Sequence, residues 1–181
     1  MTFWFTSDQH FGHSNIIKYC DRPYKTVEDM DKALIRNWNA RVGHEDTTFV
    51  LGDFCYKDEK KFKDYFYALN GNKIFIQGNH DHNNGVNTPI LDMTINLGGK
   101  TILLIHNPDD ISVFGGQLVL CGHVHNNWKF ERRYWEPEKK ESEYIDFCNV
   151  GVDVWKYMPV NINEILKDYN TWLDKNWKFE K

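Results

Sequence analysis

The sequence predicts an α/β fold, and three observations carry that expectation. Apolar strand-like runs alternate with helical periodicities in the first half of the chain, the order that produces parallel strands. In the second half the strand-like runs follow one another closely, which calls for antiparallel pairs. Five of these runs stop at Asp, Asn or His, where an open α/β sheet presents its ligand-binding edge.

Taken in order, Phe3-Trp4-Phe5-Thr6 is the first strand by β-propensity. Thr26 then reads as a helix N-cap, with Glu28 and Asp29 in the first turn. Met30, Leu34, Ile35 and Trp38 continue at helical spacing to about Val42. Residues Thr47 to Leu51 form the second strand. A second helix is expected from Glu59 to Leu69, with Phe62, Tyr65, Phe66 and Leu69 on one face and Gly71 past its end. Further strands are expected at Lys73 to Gln77, Met93 to Leu97, Thr101 to Ile105 and Leu118 to Cys121. The last helix should run from about Asn163 to Trp177, with Ile165, Leu166, Tyr169, Trp172 and Leu173 as its apolar stripe. Trp128 to Glu143 is irregular: five basic residues alternate with five acidic ones, which reads as a solvated hairpin or loop, or more sharply as a binding flap.

The 181 residues make one expected domain, 1–181, with no linker or repeat. Hydrophobic residues at 41% and charged residues at 27% exclude a disordered chain. The longest aliphatic run, Ile102 to Ile105, is far short of the ~20 residues of a membrane helix. The first residues read as no signal peptide. A net charge of −4 argues against a nucleic-acid polymer as partner. Cys20, Cys55, Cys121 and Cys148 show no C-x-x-C spacing, so they read as reduced small hydrophobes of a cytoplasmic protein.

The histidines are more telling. Seven of eight cluster, as His10 with His13, His80 with His82, His106, and His123 with His125. Their places coincide with strand ends: Asp8-Gln9-His10, Gly52-Asp53, Gly78-Asn79-His80-Asp81, His106 and Gly122-His123-Val124-His125. A lone Asp after a strand is usually a turn former. Five such endings together bring oxygen and imidazole ligands for divalent metal to one edge. In an extended chain residues i and i+2 face one side, so Asp8 and His10 can share a cation, as can His123 and His125. Asp53, with two oxygens, can bridge two metals, and glycines before Asp53, Asn79 and His123 let backbone come close.

These blocks, in this order, resemble the calcineurin-like metallophosphoesterase superfamily. Phe11 to Ile17 and Cys20-Asp21-Arg22-Pro23-Tyr24 look like its small bacterial and phage members, and Asn149 to Asp153 like its closing strand. The resemblance implies a four-layer α/β/β/α sandwich of two mixed sheets with a dinuclear metal site at the strand C-terminal edge. It implies Asp8, His10, Asp53 and His125 on one metal, and Asp53, Asn79, His106 and His123 on the other. His80 would be the catalytic, non-ligand histidine beside the leaving oxygen, and a bridging hydroxide would attack phosphorus in line. Two divalent ions, Mn²⁺ first and Fe, Ni²⁺ or Zn²⁺ next, would leave a locally positive site in an acidic protein. The implied activity is hydrolysis of phosphoric esters, in the first place a phosphodiester with a small or nucleotide-like group. A phosphomonoesterase or protein phosphatase is the alternative, and a non-catalytic metal-binding module the third reading.

One departure bears on His80. Many members carry Gly-Asp-x-x-Asp, whose second Asp orients this histidine, and here Tyr56 stands at that position with Lys57 after it. Phosphate binding would then pass to His13, Asn15 or Arg22, near the first metal ligands.

Overall fold

A computed structural model describes residues 1–56, 59–82, 84–111, 118–134 and 144–177, and of Glu59 and Lys60 the backbone alone. Lys57 and the charged stretch 135–143 lie outside the described residues. Two mixed sheets organise the chain. The first, in the order β3-β2-β1-β9, holds β1 (Phe3–Thr6), β2 (Thr47–Leu51), β3 (Asn72–Ile76) and β9 (Val160–Asn161). Its first three strands are parallel, and β9 runs antiparallel beside β1. The second, in the order β4-β5-β6-β8-β7, holds β4 (Asp92–Leu97), β5 (Lys100–Ile105), β6 (Leu118–Cys121), β7 (Phe130–Tyr134) and β8 (Tyr144–Asn149). β5, β6 and β8 are parallel, with antiparallel hairpin partners β4 and β7 at the edges.

The side-chain alternation of the strands sorts the core into layers. Phe5, Phe49, Leu51 and Ile76 of the first sheet meet Ile102, Leu104, Leu118, Leu120 and Cys148 of the second in one buried cluster. Their neighbours Trp4, Val50 and Phe75 point the other way, onto Met30, Leu34 and Trp38 of α2 (Val27–Asn39) and Phe62 and Tyr65 of α3 (Glu59–Ala68). Strands buried on both faces explain why β2 and β6 read as unbroken apolar runs. α4 (Ile162–Asn176) starts at a capping box of Asn161 and Glu164. It buries Ile165 and Tyr169 in the inter-sheet cluster.

Two expectations change. The outer face of the second sheet, with Leu103, Val119, Cys121 and Phe147, packs Ile111 and Trp128. No α-helix among the described residues contributes to it, so the fourth layer of the expected sandwich has no counterpart there. The stretch Asn149 to Asp153 is not a strand: β8 ends at Asn149, and Val152–Val154 is a 3-10 turn. The described start of the Trp128 to Glu143 stretch is β7, which pairs antiparallel with β8, in keeping with the hairpin reading. Arg132, one of its residues, is buried against Asp146 of β8 in a two-pronged ion pair. All four cysteines are buried thiols. No helix among the described residues is long and apolar enough to cross a membrane.

Candidate metal centre

The C-terminal ends of six parallel strands from both sheets meet at one edge. Backbone hydrogen bonds weld the loops there, with His10 N–H donating to the Asp53 carbonyl and Val152 N–H to that of Ser7, each 3.0 Å. The ligand residues do not sit on extended chain, as the i, i+2 argument supposed. Asp8 (φ 59°), His10 (φ 51°), Asp53 (φ 55°), His123 (φ 70°) and His125 (φ 49°) are all left-handed. Such conformations cost of order 1 kcal/mol or more each and persist only where surroundings enforce them. The close approach of backbone is equally visible. A Cβ on Gly122 would overlap Ser7 Oγ and reach 2.7 Å from Asp8 Oδ2.

Asp53 lies at the middle, 1% exposed. Its Oδ2 is 3.5 Å from both His10 Nε2 and His106 Nε2, and its Oδ1 accepts the backbone N–H of His80 at 2.9 Å. Burial would raise its pKa, but the hydrogen bond and charge of His106, with His10, hold it well below the usual carboxylate range. Asp8 is buried and accepts the His123 backbone N–H on both oxygens, 3.1 and 3.0 Å. Two sets of three groups, Asp8 with His10 and His125 and Asp8 with Asp53 and His106, place ligand atoms within 4.8 Å of one another. Asp53 thus faces histidines of both halves of the site, His10 and His106, with Asp8 close beside it.

These donors fit divalent metal. His106 Nδ1 faces the Leu51 carbonyl at 2.7 Å, which can only accept, so Nδ1 carries the proton. Its Nε2 lies 3.0 Å from Asn79 Oδ1, which is also 2.9 Å from His123 Nδ1. Electron-rich atoms that close need a cation or a proton between them. His10 Nε2 is buried without a hydrogen-bond partner, and burial pushes the ring's pKa well down, keeping it a neutral ligand. Burial also acts to lower His106, but Asp53 and Asp8 carry it up to about 9, a measure of how strongly this pocket attracts positive charge. The donor set is oxygen and imidazole, as Mn²⁺, Fe, Ni²⁺ and Zn²⁺ accept.

An uncharacterized protein of Methanocaldococcus jannaschii, MJ1445, is 39% identical over 165 residues, 89% of this chain and 87% of that one. With the five strand-end blocks now seen converging on one site, that likeness places the two in one family. The chain belongs to one family with that archaeal protein. A protein of unknown function from Aquifex aeolicus superposes with a TM-score of 0.66 at 26% identity, over 92% of this chain and 98% of that one. A Streptococcus pneumoniae protein described as a predicted phosphoesterase aligns at a TM-score of 0.38 and 15% identity, over 83% of this chain and 71% of that one. No family model matches the chain.

The outer residues of the site depart from the sequence expectation. Arg22 was expected to face substrate, but it is 3% exposed and its donors are engaged. They reach both oxygens of Asp153 and the carbonyls of Gln9 and Asp8. A guanidinium so held cannot swing to a phosphate. Asn15 is exposed before α1 (Ile16–Tyr19), where its carbonyl receives Lys18 and Tyr19 N–H, and it does not line the cavity at the metal centre. His13 does line it, with its ring flat on Tyr56 (centroids 4.1 Å apart, 3° between planes) and Nδ1 3.4 Å from His10 Nδ1. Tyr56, at the position where the sequence resemblance would place a carboxylate, is thus a partner of His13. His80 is exposed at the mouth, edge-on to His10 at 5.5 Å.

Four residues escaped the sequence reading. Asp153 accepts from His125 Nδ1 at 3.1 Å; burial acts to lower the histidine's pKa, yet this bond carries it up to about 10. Asp81, next to His80, takes the backbone N–H groups of Gly78, Asp53 and Phe54, and Asn84 ties it to the Cys55 and His80 carbonyls. Cys20 also belongs here, its thiol within 4.8 Å of the His125 and Asp153 ligand atoms. Asp81, Asp153 and Cys20 stood inside quoted blocks without a role of their own, and nothing local marked Asn84.

Proposed function

We propose that this chain is a metal-dependent phosphoric ester hydrolase, acting first on phosphodiesters with a small or nucleotide-like group. The observation that carries the reading is the gathering of seven oxygen and imidazole side chains from five strand ends, with the exposed ring of His80 at their mouth. Asp8, His10, Asp53 and His125 would hold one cation, and Asp53, Asn79, His106 and His123 the other. Bound divalent ions supply positive charge for phosphoryl oxygens and acidify water near neutral pH. His80, its backbone fixed on Asp53, meets the departing oxygen with a ring N–H. The diester preference draws on two cavities flanking the site. One, of about 340 Å³, is lined by His13, Tyr19, His80 and Asn126 and by no Lys, Arg, Asp or Glu. The other, of about 390 Å³, lies past Asn79 and His106 and reaches Asp92 and Asp110. A diester has two arms to place, a monoester one. Buried cysteine thiols suit a reducing, cytoplasmic setting.

Purified protein reconstituted with Mn²⁺, analysed for metal and assayed on paired mono- and bis-p-nitrophenyl phosphates, tests this. Two equivalents of metal and faster diester turnover are expected. No bound metal overturns the site, faster monoester turnover favours the phosphatase reading, and two equivalents without turnover favour the binding module.

A further inference from the structure

We infer that Arg22 and Asp153 form a buried positioning pair that orients His125 and pins the Asp8–His10 loop, so that one of the two cation positions owes its affinity to them. The inference rests on the reading of the cluster as a metal centre.

Asp153 is the hub. Its Oδ1 accepts Arg22 Nε at 2.8 Å, and its Oδ2 accepts Arg22 Nη2 at 2.9 Å and faces His125 Nδ1 at 3.1 Å. With the Nδ1 proton drawn to a carboxylate, the His125 lone pair sits on Nε2, the atom left for a cation, and the ring cannot flip without losing the bond. The other side of the guanidinium reaches the opposite strand-end loop, with Nη2 donating to the Asp8 carbonyl at 2.7 Å and Nη1 to the Gln9 carbonyl at 2.9 Å. Asp8, His10 and His125, all held in left-handed conformations, thus share one brace. They are also the three groups whose ligand atoms come together on this side.

Stability alone does not account for the pair. The Arg22 and Asp153 side chains are 0% and 1% exposed. Two charges buried this deeply recover little beyond their desolvation, and apolar side chains of similar volume often serve as well. What apolar residues cannot do is accept a proton from His125 or donate to the Asp8 and Gln9 carbonyls. Losing such a supporting partner lowers metal affinity about 10–100-fold.

The test titrates the metal-free full chain with Mn²⁺ in a calorimeter and follows its thermal melt. Asp153→Asn is compared with the double variant Arg22→Met/Asp153→Leu, which removes both charges and leaves neither stranded. The wild type should take two equivalents. Both variants should bind one equivalent about 10–100-fold more weakly and the other as before. The metal-free double variant should melt within a few degrees of wild type. In electron paramagnetic resonance at one added equivalent, the variants should load the intact position alone. Wild-type affinity for both equivalents in the double variant overturns the inference. So does an equal loss at both positions with a lowered metal-free melt, or failure of both variants to fold, which makes the pair a general structural support. If the wild type itself takes up no metal, the metal-centre reading falls first and the inference with it.

Discussion

On the His125 side of the site the supporting groups are buried and charged, a guanidinium and a carboxylate brought together from residues 131 apart. On the Asn79 side support comes from backbone. Asp81 collects the N–H groups of Gly78, Asp53 and Phe54, the Leu51 carbonyl fixes His106, and Asn79 and His80 are left exposed. The difference teaches where each kind of brace is useful. Main-chain N–H donors hold a loop whose side chains must meet solvent and substrate, because they occupy no space at the mouth. A side-chain ion pair spans the two strand-end loops and at the same time fixes the ring of His125, which a backbone bond cannot do. Asp53 touches both systems, through His10 and His106 and through its own N–H on Asp81.

That central place makes Asp53→Asn the strongest way to break the comparison. It should weaken both cation positions together, by more than the ~100-fold that loss of a supporting residue costs. Full Mn²⁺-dependent turnover in the variant would show that Asp8 bridges alone.

His80→Ala probes the open side without touching either brace. Both metals should stay bound, and hydrolysis of an alkyl phosphodiester should slow by about 10², the lower end for a positioned general acid. A p-nitrophenyl ester, whose phenolate departs unprotonated, should slow less. Equal losses on both esters would make His80 a phosphate-positioning group, and a fall in metal content would make it a ligand.

The smallest effect sharpens the contrast through pH. In the metal-free protein His106 at about 9 and His125 at about 10 lie above the ordinary imidazole value of 6.5. Their protonated forms stabilise the fold fully below about pH 6.5, and that contribution is lost as pH rises through 9 and 10. His10 has the opposite sign, since burial lowers it and unfolding lets it protonate below 6.5. Melting temperature in chelator should therefore fall from pH 7.5 to pH 10.5, by a few degrees. A flat profile would show that the buried carboxylates do not draw protons onto these rings.

Much of the fold was written locally. β1, β2 and β6 keep their expected bounds because strands buried on both faces must be apolar throughout, and Thr26 caps α2 as its side chain demands. β7 read only as part of a hairpin or loop because Phe130–Tyr134 carries Glu131, Arg132 and Arg133, charges that only a partner such as Asp146 makes tolerable in a strand. Asp8, His10, Asp53, Asn79, His106, His123 and His125 were legible as a set, since each follows a strand whose end topology fixes.

By itself, then, the sequence determined which residues stand at the strand ends and that their chemistry suits a divalent cation, because strand propensity and ligand type are properties of short segments. Tertiary structure decided how those residues are held. It turned Asp8, His10 and His125 into left-handed loops, withdrew Arg22 from substrate to brace Asp153, and left Asn15 outside the cavity. Hydrogen bonds between residues far apart in the chain carry no local signature, and it is these that set where a buried side chain points.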